Sequence, residues 1–167
     1  MMVQCGDMVV YGIHGVCRIV DVESRVVDRK SMEYFVLEPK NQPDAKFYVP
    51  TGNPAALAKL RKLLTKAEME ALLDSDAIKA DGWIANESVR KEKYRELISR
   101  ADCTELIRMI RALYGHKQEQ LAAGKKFHQC DENFLKDAQR LICAEVSQVL
   151  EIPLEQVGAY IRSRVEK

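Results

Sequence analysis

The sequence predicts an α+β protein: a small antiparallel β domain followed by an all-α helical bundle. Three observations carry this. Short β-forming runs fill residues 7–49 and stop at Pro50. Apolar patterns of helical period, each opened by a capping residue, fill the rest of the chain. A length of 167 residues suits two small domains, and the change of pattern falls near residue 50. The expected boundaries are 1–52 and 53–167.

Each element has a local reason. Residues 7–11 form a short β run, and residues 16–27 alternate well enough for a long, bent strand. Asp28-Arg29-Lys30 is a polar tip. Residues 32–38 are rich in aromatic and β-branched side chains, as strands prefer. Asn41-Gln42-Pro43-Asp44 is a turn signal, and residues 45–49 make the next strand. Four or five short strands in so few residues imply a small antiparallel barrel of the SH3 or Tudor kind.

Asn53-Pro54 places a cap residue before a proline at the first helical position. Leu57, Leu60 and Leu64 then continue a helical pattern to residue 64. Thr65 and Glu68 make a capping box for a second short helix ending near Leu73. Residues 74–82 read as a loop or hinge, and a helix spans about 86–99. Asp102 with Glu105 caps a helix whose apolar face is Leu106, Ile107, Ile110, Leu113 and Tyr114, and Gly124 ends it. Asp131 is expected to cap the helix carrying Phe134, Leu135, Ala138, Leu141, Ile142, Val146, Val149 and Leu150. Pro153 starts a last helix with Val157, Ile161 and Val165 inward.

Composition excludes several classes. No apolar run approaches the ~18 residues of a membrane span. The N-terminus lacks a basic region followed by a long apolar stretch, so a cytoplasmic protein is expected. Five scattered cysteines without a CxxC argue against a disulfide framework and a zinc ribbon. His14, His116 and His128 lie far apart, and His128-Gln129-Cys130 alone makes no metal site. There is no phosphate-binding glycine loop, GxSxG or HExxH. A non-enzyme without cofactor or metal is expected, a Cys/His enzyme being the weaker alternative.

Charge is uneven. The chain is +1 overall, but residues 83–126 hold ten basic against six acidic side chains. Trp83, the lone tryptophan, stands at the start of this segment, and Arg90, Lys91, Lys93 and Arg95 come within about three helical turns of it. An apolar ring inserted at a base step with cations on nearby phosphates is one reading of this group. A core aromatic that pins the linker is the other. In the β domain, Lys46 and Tyr48 share a face by period two. A bent sheet with an open edge can accept a partner strand, with Arg25 anchoring a carboxylate.

The chain resembles the CarD/CdnL family of bacterial transcription regulators. The N-terminal match is Gly6-Asp7-x-Val9-Val10-Tyr11-x-x-His14-Gly15, then Glu33-Tyr34-x-Val36-Leu37 and Val49-Pro50. The C-terminal match is Trp83, Leu113-Tyr114, Gly124-Lys125-Lys126 and Ala138-x-x-Leu141-Ile142-x-x-Glu145. The resemblance implies a Tudor-like domain that docks on the β subunit of RNA polymerase, a module shared with the transcription-repair coupling factor. It implies a helical domain at promoter DNA, with a tryptophan in the minor groove and basic residues on the phosphate backbone. The implied result is a more stable open complex, often at ribosomal RNA promoters. By position, Arg25 and Val27 match the polymerase-contacting strand and Trp83 the wedge, with Arg90, Lys91, Lys93 and Arg95 as phosphate contacts. A second arginine of the family falls on Tyr48 here, which brings Lys46 forward, and many members have proline at Gly12. The competing expectation is a Tudor-like interaction module with a helical dimerisation domain and no DNA contact. Monomer and domain-swapped dimer both stay open.

Overall fold

The computed structural model describes residues 3–80 and 82–165, the Val165 side chain excepted. Asp81 of the expected hinge and the Val165 side chain therefore lie outside the described residues. The chain divides between Leu63 and Leu64 into two compact units, the first a β unit and the second helical, so the protein is α+β.

The β unit contains β1 (Met8–Tyr11), a 3-10 turn (Gly12–His14), β2 (Val16–Val27), β3 (Lys30–Pro39), β4 (Phe47–Pro50), α1 (Pro54–Leu57) and β5 (Leu60–Lys62). The sheet is antiparallel with strand order β4-β3-β2-β1-β5. It is not closed into the expected barrel: β4 and β5 stand at opposite ends of the order and do not pair. Its curvature comes from β2, where the register with β3 slips between Ile19 and Asp21. One extra residue there bends the strand and increases its twist. Ile19 before the slip and Val22 after it thereby point to the same face, opposite Leu37 and Phe35.

That face is the core: Val9, Cys17, Ile19, Leu37, Val49 and Leu60 are buried, with Tyr11, Phe35, Phe47, Ala56 and Leu57 packed on them. The Asn53 side chain accepts from the backbone N–H groups of Ala55 and Ala56, and Pro54 opens α1 as expected. The helix does not continue to residue 64. Leu60–Lys62 pair with Tyr11–Val9 of β1, and Leu60 is buried in the sheet core. The β2–β3 hairpin turns on Asp28 and Arg29, at φ 50° and 65°, the left-handed pair a two-residue hairpin turn requires. Gly12 has φ 47°, a conformation closed to proline.

The helical unit contains α2 (Lys66–Leu73), a 3-10 turn (Asp76–Ile78), α3 (Glu87–Arg100), α4 (Cys103–Ala122), α5 (Gln129–Leu150) and α6 (Leu154–Val165). Both halves of the Thr65–Glu68 capping box form, and Asp102 accepts from the Glu105 N–H at the start of α4. Gly124, at φ 72°, lies just past the end of α4. Met69, Leu73, Cys103, Ile107, Ile142, Val146, Leu150 and Val157 form one core. Ile78 joins it and its carbonyl accepts from Arg111 Nη1 at 2.7 Å, so residues 76–78 are tied to the helical core. Glu145, buried on α5, accepts from the Leu64 N–H and from Cys103 Sγ, tying the lead-in of α2 and the start of α4 to α5.

Two details differ from expectation. Tyr114 is half-exposed, and Met109 takes the inward place on α4 instead. Asp131 is not the cap of α5. His128 holds that position, and Asp131 is buried within the first turn.

Candidate functional site

On the β unit, alternation along β2 puts Glu23, Arg25 and Val27 on the face opposite the core. Their cross-strand partners Tyr34, Met32 and Lys30 share it, and the Val36–Tyr48 pairing brings Tyr48 of β4 to the same side. There the Arg25 guanidinium lies 4.2 Å from the Tyr48 ring centroid. Its Nη2 and Nε donate to Glu23 Oε2 at 3.1 and 3.3 Å. The Glu23 hydrogen bond holds the guanidinium above its ordinary pKa, with the Tyr48 hydroxyl adding to it. Val27, Met32 and Tyr48 are all exposed, so the cation sits in an open apolar surround. Lys46 precedes β4 and is also exposed. The outer edge of β4 pairs with no described strand.

On the helical unit, Trp83 lies in the irregular stretch before α3 and is half-buried. Its ring stacks on His116 of α4, with centroids 3.7 Å apart and planes 8° from parallel. The Arg90 guanidinium lies 4.7 Å from the indole centroid. His116 Nε2 is 2.9 Å from the Gln120 amide nitrogen one turn on. A surface pocket of about 260 Å³ opens here, lined by Trp83, Glu87, Arg90, His116, Gln120 and His128.

The expected phosphate contacts separate. Arg90 is 4% exposed, and its Nε and Nη2 donate to the two Asp131 oxygens at 2.9 and 3.0 Å. Nη1 donates to the carbonyls of Ile84 and Ala85. Burial opposes its charge, but Asp131 outweighs that and holds the guanidinium above its ordinary pKa. Every nitrogen of the Arg90 guanidinium is thus committed within the helical unit, in a buried ion pair. Lys91 pairs with Glu87 at 3.0 Å, and its hydrogen bond holds that carboxyl below its usual range. Lys93 and Arg95 are exposed but point about 160° apart around α3.

Sequence reasoning named His116 only as one of three dispersed histidines and Asp131 only as a helix cap, and it did not name Gln120. The His116–Gln120 spacing of four on one helix was a visible signal. Arg90 and Asp131 are 41 residues apart in the chain and gave none. His14 packs on Phe47 and Tyr11 in the β unit, with ring centroids at 4.2 and 5.1 Å. Among the described residues no group of three or more His, Cys, Asp or Glu side chains is placed to hold a metal ion. No described helix is long and apolar enough to cross a membrane.

A comparison with protein families matches residues 3–64 to the CarD-like/TRCF RID domain. The match covers the β unit, including α1 and β5. A search of curated proteins finds none that matches the chain. The matched domain is that of a non-enzymatic, RNA polymerase-interacting family of transcription factors. Residues 3–64 thus match the CarD-like/TRCF RID domain, which is consistent with a CarD-like family member.

Proposed function

We propose that the protein is a transcription regulator that docks on the β subunit of RNA polymerase and contacts promoter DNA, stabilising the open complex. The observation that carries this reading is the open face of the matched domain, where Arg25 lies over Tyr48 beside Val27. A cation stacked on an aromatic ring and ringed by exposed apolar groups offers both an anchor for a carboxylate and area to bury. Lys46 adds a second cation, and the free edge of β4 can extend the partner's sheet.

The helical unit supplies the DNA contact in this reading. Trp83 is the wedge that enters the minor groove and partly unstacks a base step. Lys91, Lys93 and Arg95 are the remaining candidates for phosphate. The mechanism is linkage: a factor that binds open promoter better than closed shifts the population towards open. A tenfold shift needs only about 1.4 kcal/mol of differential affinity. Because the two units are one chain, the second contact forms at high effective concentration, so each can be weak.

The experiment is capture on purified β-subunit lobe of wild type and Arg25→Glu at two salt concentrations, and then open-complex lifetimes with wild type and Trp83→Ala. The expected result is capture of wild type alone, and a shorter lifetime with Trp83→Ala at unchanged thermal stability. The support of Trp83 by His116 and Arg90 also favours a second reading, a protein-interaction module with a structural tryptophan. Loss of stability in Trp83→Ala without loss of lifetime would select it.

A further inference from the structure

Trp83 belongs to no helix or strand among the described residues, yet its indole has fixed neighbours. His116 stacks on it nearly parallel, and Arg90 reaches over it. Each neighbour is itself held. His116 sits on α4, with Gln120 one turn further at hydrogen-bond distance. Arg90 is locked by Asp131 and two carbonyls.

We propose that His116 is the positioning residue for the DNA-contacting indole: its imidazole, steadied by Gln120, holds Trp83 in one orientation before DNA arrives. The proposal rests on the reading of Trp83 as the wedge. A large side chain on an irregular segment loses rotamer freedom when it inserts, and that loss weakens binding. A ring already stacked on a helix-borne imidazole has lost that freedom on folding. Stacking also contributes beyond simple burial, so removing the imidazole should free the indole. Arg90 alone does not replace it, because a guanidinium at 4.7 Å restrains the ring less than a parallel ring at 3.7 Å.

The full chain tests this directly, because Trp83 is its one tryptophan and its emission reports that ring alone. Time-resolved anisotropy and dissociation from a fork-junction promoter duplex are measured for wild type, His116→Ala, His116→Phe, Gln120→Ala and Trp83→Ala, with circular dichroism melts as the folding control. His116→Ala should add fast local motion of the indole and raise the dissociation rate about three- to tenfold. His116→Phe keeps a ring at the same place and should restore both readouts to within about twofold of wild type. Gln120→Ala should fall between them and covers the case in which His116→Ala fails to fold. Trp83→Ala faster than wild type, with His116→Ala slow and its indole still, would overturn the proposal while leaving the wedge intact. Faster dissociation of His116→Ala with an immobile indole would also overturn it, since His116 would then act on DNA itself. Wild type and Trp83→Ala dissociating alike would remove the wedge reading and the proposal with it.

Discussion

Each unit places an arginine over an aromatic ring, and the Arg25–Tyr48 and Arg90–Trp83 pairs are held in different ways. Arg25 lies 4.2 Å from Tyr48 and Arg90 lies 4.7 Å from Trp83. The Arg25 side chain is 50% exposed and shares its hydrogen bonds with a half-exposed Glu23 on its own strand. The Arg90 side chain is 4% exposed, and the Asp131 side chain that it grips is 1% exposed. A solvated pair on a strand face can be lent to a partner at little loss, because its internal contacts are weak. A desolvated pair cannot, because breaking it strands a charge in the interior. On the proposed reading, what the cation is held by, rather than the cation–ring contact, separates a docking surface from a structural post.

The largest expected effect breaks the buried pair. Arg90→Met should destabilise the helical unit by about 3–5 kcal/mol, because it leaves Asp131 buried and uncompensated. Urea unfolding read by Trp83 emission reports this unit alone, since no other tryptophan is present. The double variant Arg90→Met with Asp131→Leu should recover most of the loss, both polar partners being gone together. An Arg90→Met protein as stable as wild type but weaker on DNA would erase the distinction and return Arg90 to the phosphate contacts.

The exposed pair should behave in the opposite way. Arg25→Ala and Tyr48→Ala should leave the melting temperature of the β unit unchanged. Each should weaken capture by the β-subunit lobe, and a double-mutant cycle should show coupling of about two- to fivefold between them. Additive effects would mean that the cation–ring stacking is incidental to docking.

How much of this could be read from the chain depends on the distance between partners. Asn53, Thr65 and Asp102 each cap a helix by bonding to backbone two or three residues away, so their roles are written locally. Leu60 misleads for the complementary reason. Its spacing from Leu57 and Leu64 mimics a helix face, and only pairing with β1 some 50 residues earlier makes it a strand residue. Asp131 stands where an acidic residue often caps a helix or meets its dipole, and that local plausibility hid its pairing with Arg90. Tyr114 fits the apolar stripe of α4 by period but faces solvent. At the site, Arg25 and Tyr48 were both singled out from strand patterns, whereas the support under Trp83 spans three elements, and only the His116–Gln120 spacing within α4 leaves a local trace of it.

The smallest effect concerns the two exposed cations of α3, Lys93 and Arg95. Glu87, Lys91 and Arg95 recur every four residues, so they form one stripe along the helix. Glu87 lines the pocket beside Trp83 and is bonded to Lys91, which places this stripe on the wedge side. Lys93 lies about 160° from Arg95 and so on the other flank. Because the two cations flank α3 on opposite sides, a duplex engaged by Trp83 can use one of them and not both, and Arg95, on the stripe of Glu87 and Lys91, is the one expected. Arg95→Gln should lower the slope of log affinity against log salt by about 0.9, the release of one counterion, with an even loss across promoter sequences. Lys93→Gln should leave that slope where it was. If Lys93 carries the salt dependence instead, the DNA runs along the Arg90 flank of α3, and Trp83 meets it from that side of the pocket rather than from the Lys91 side.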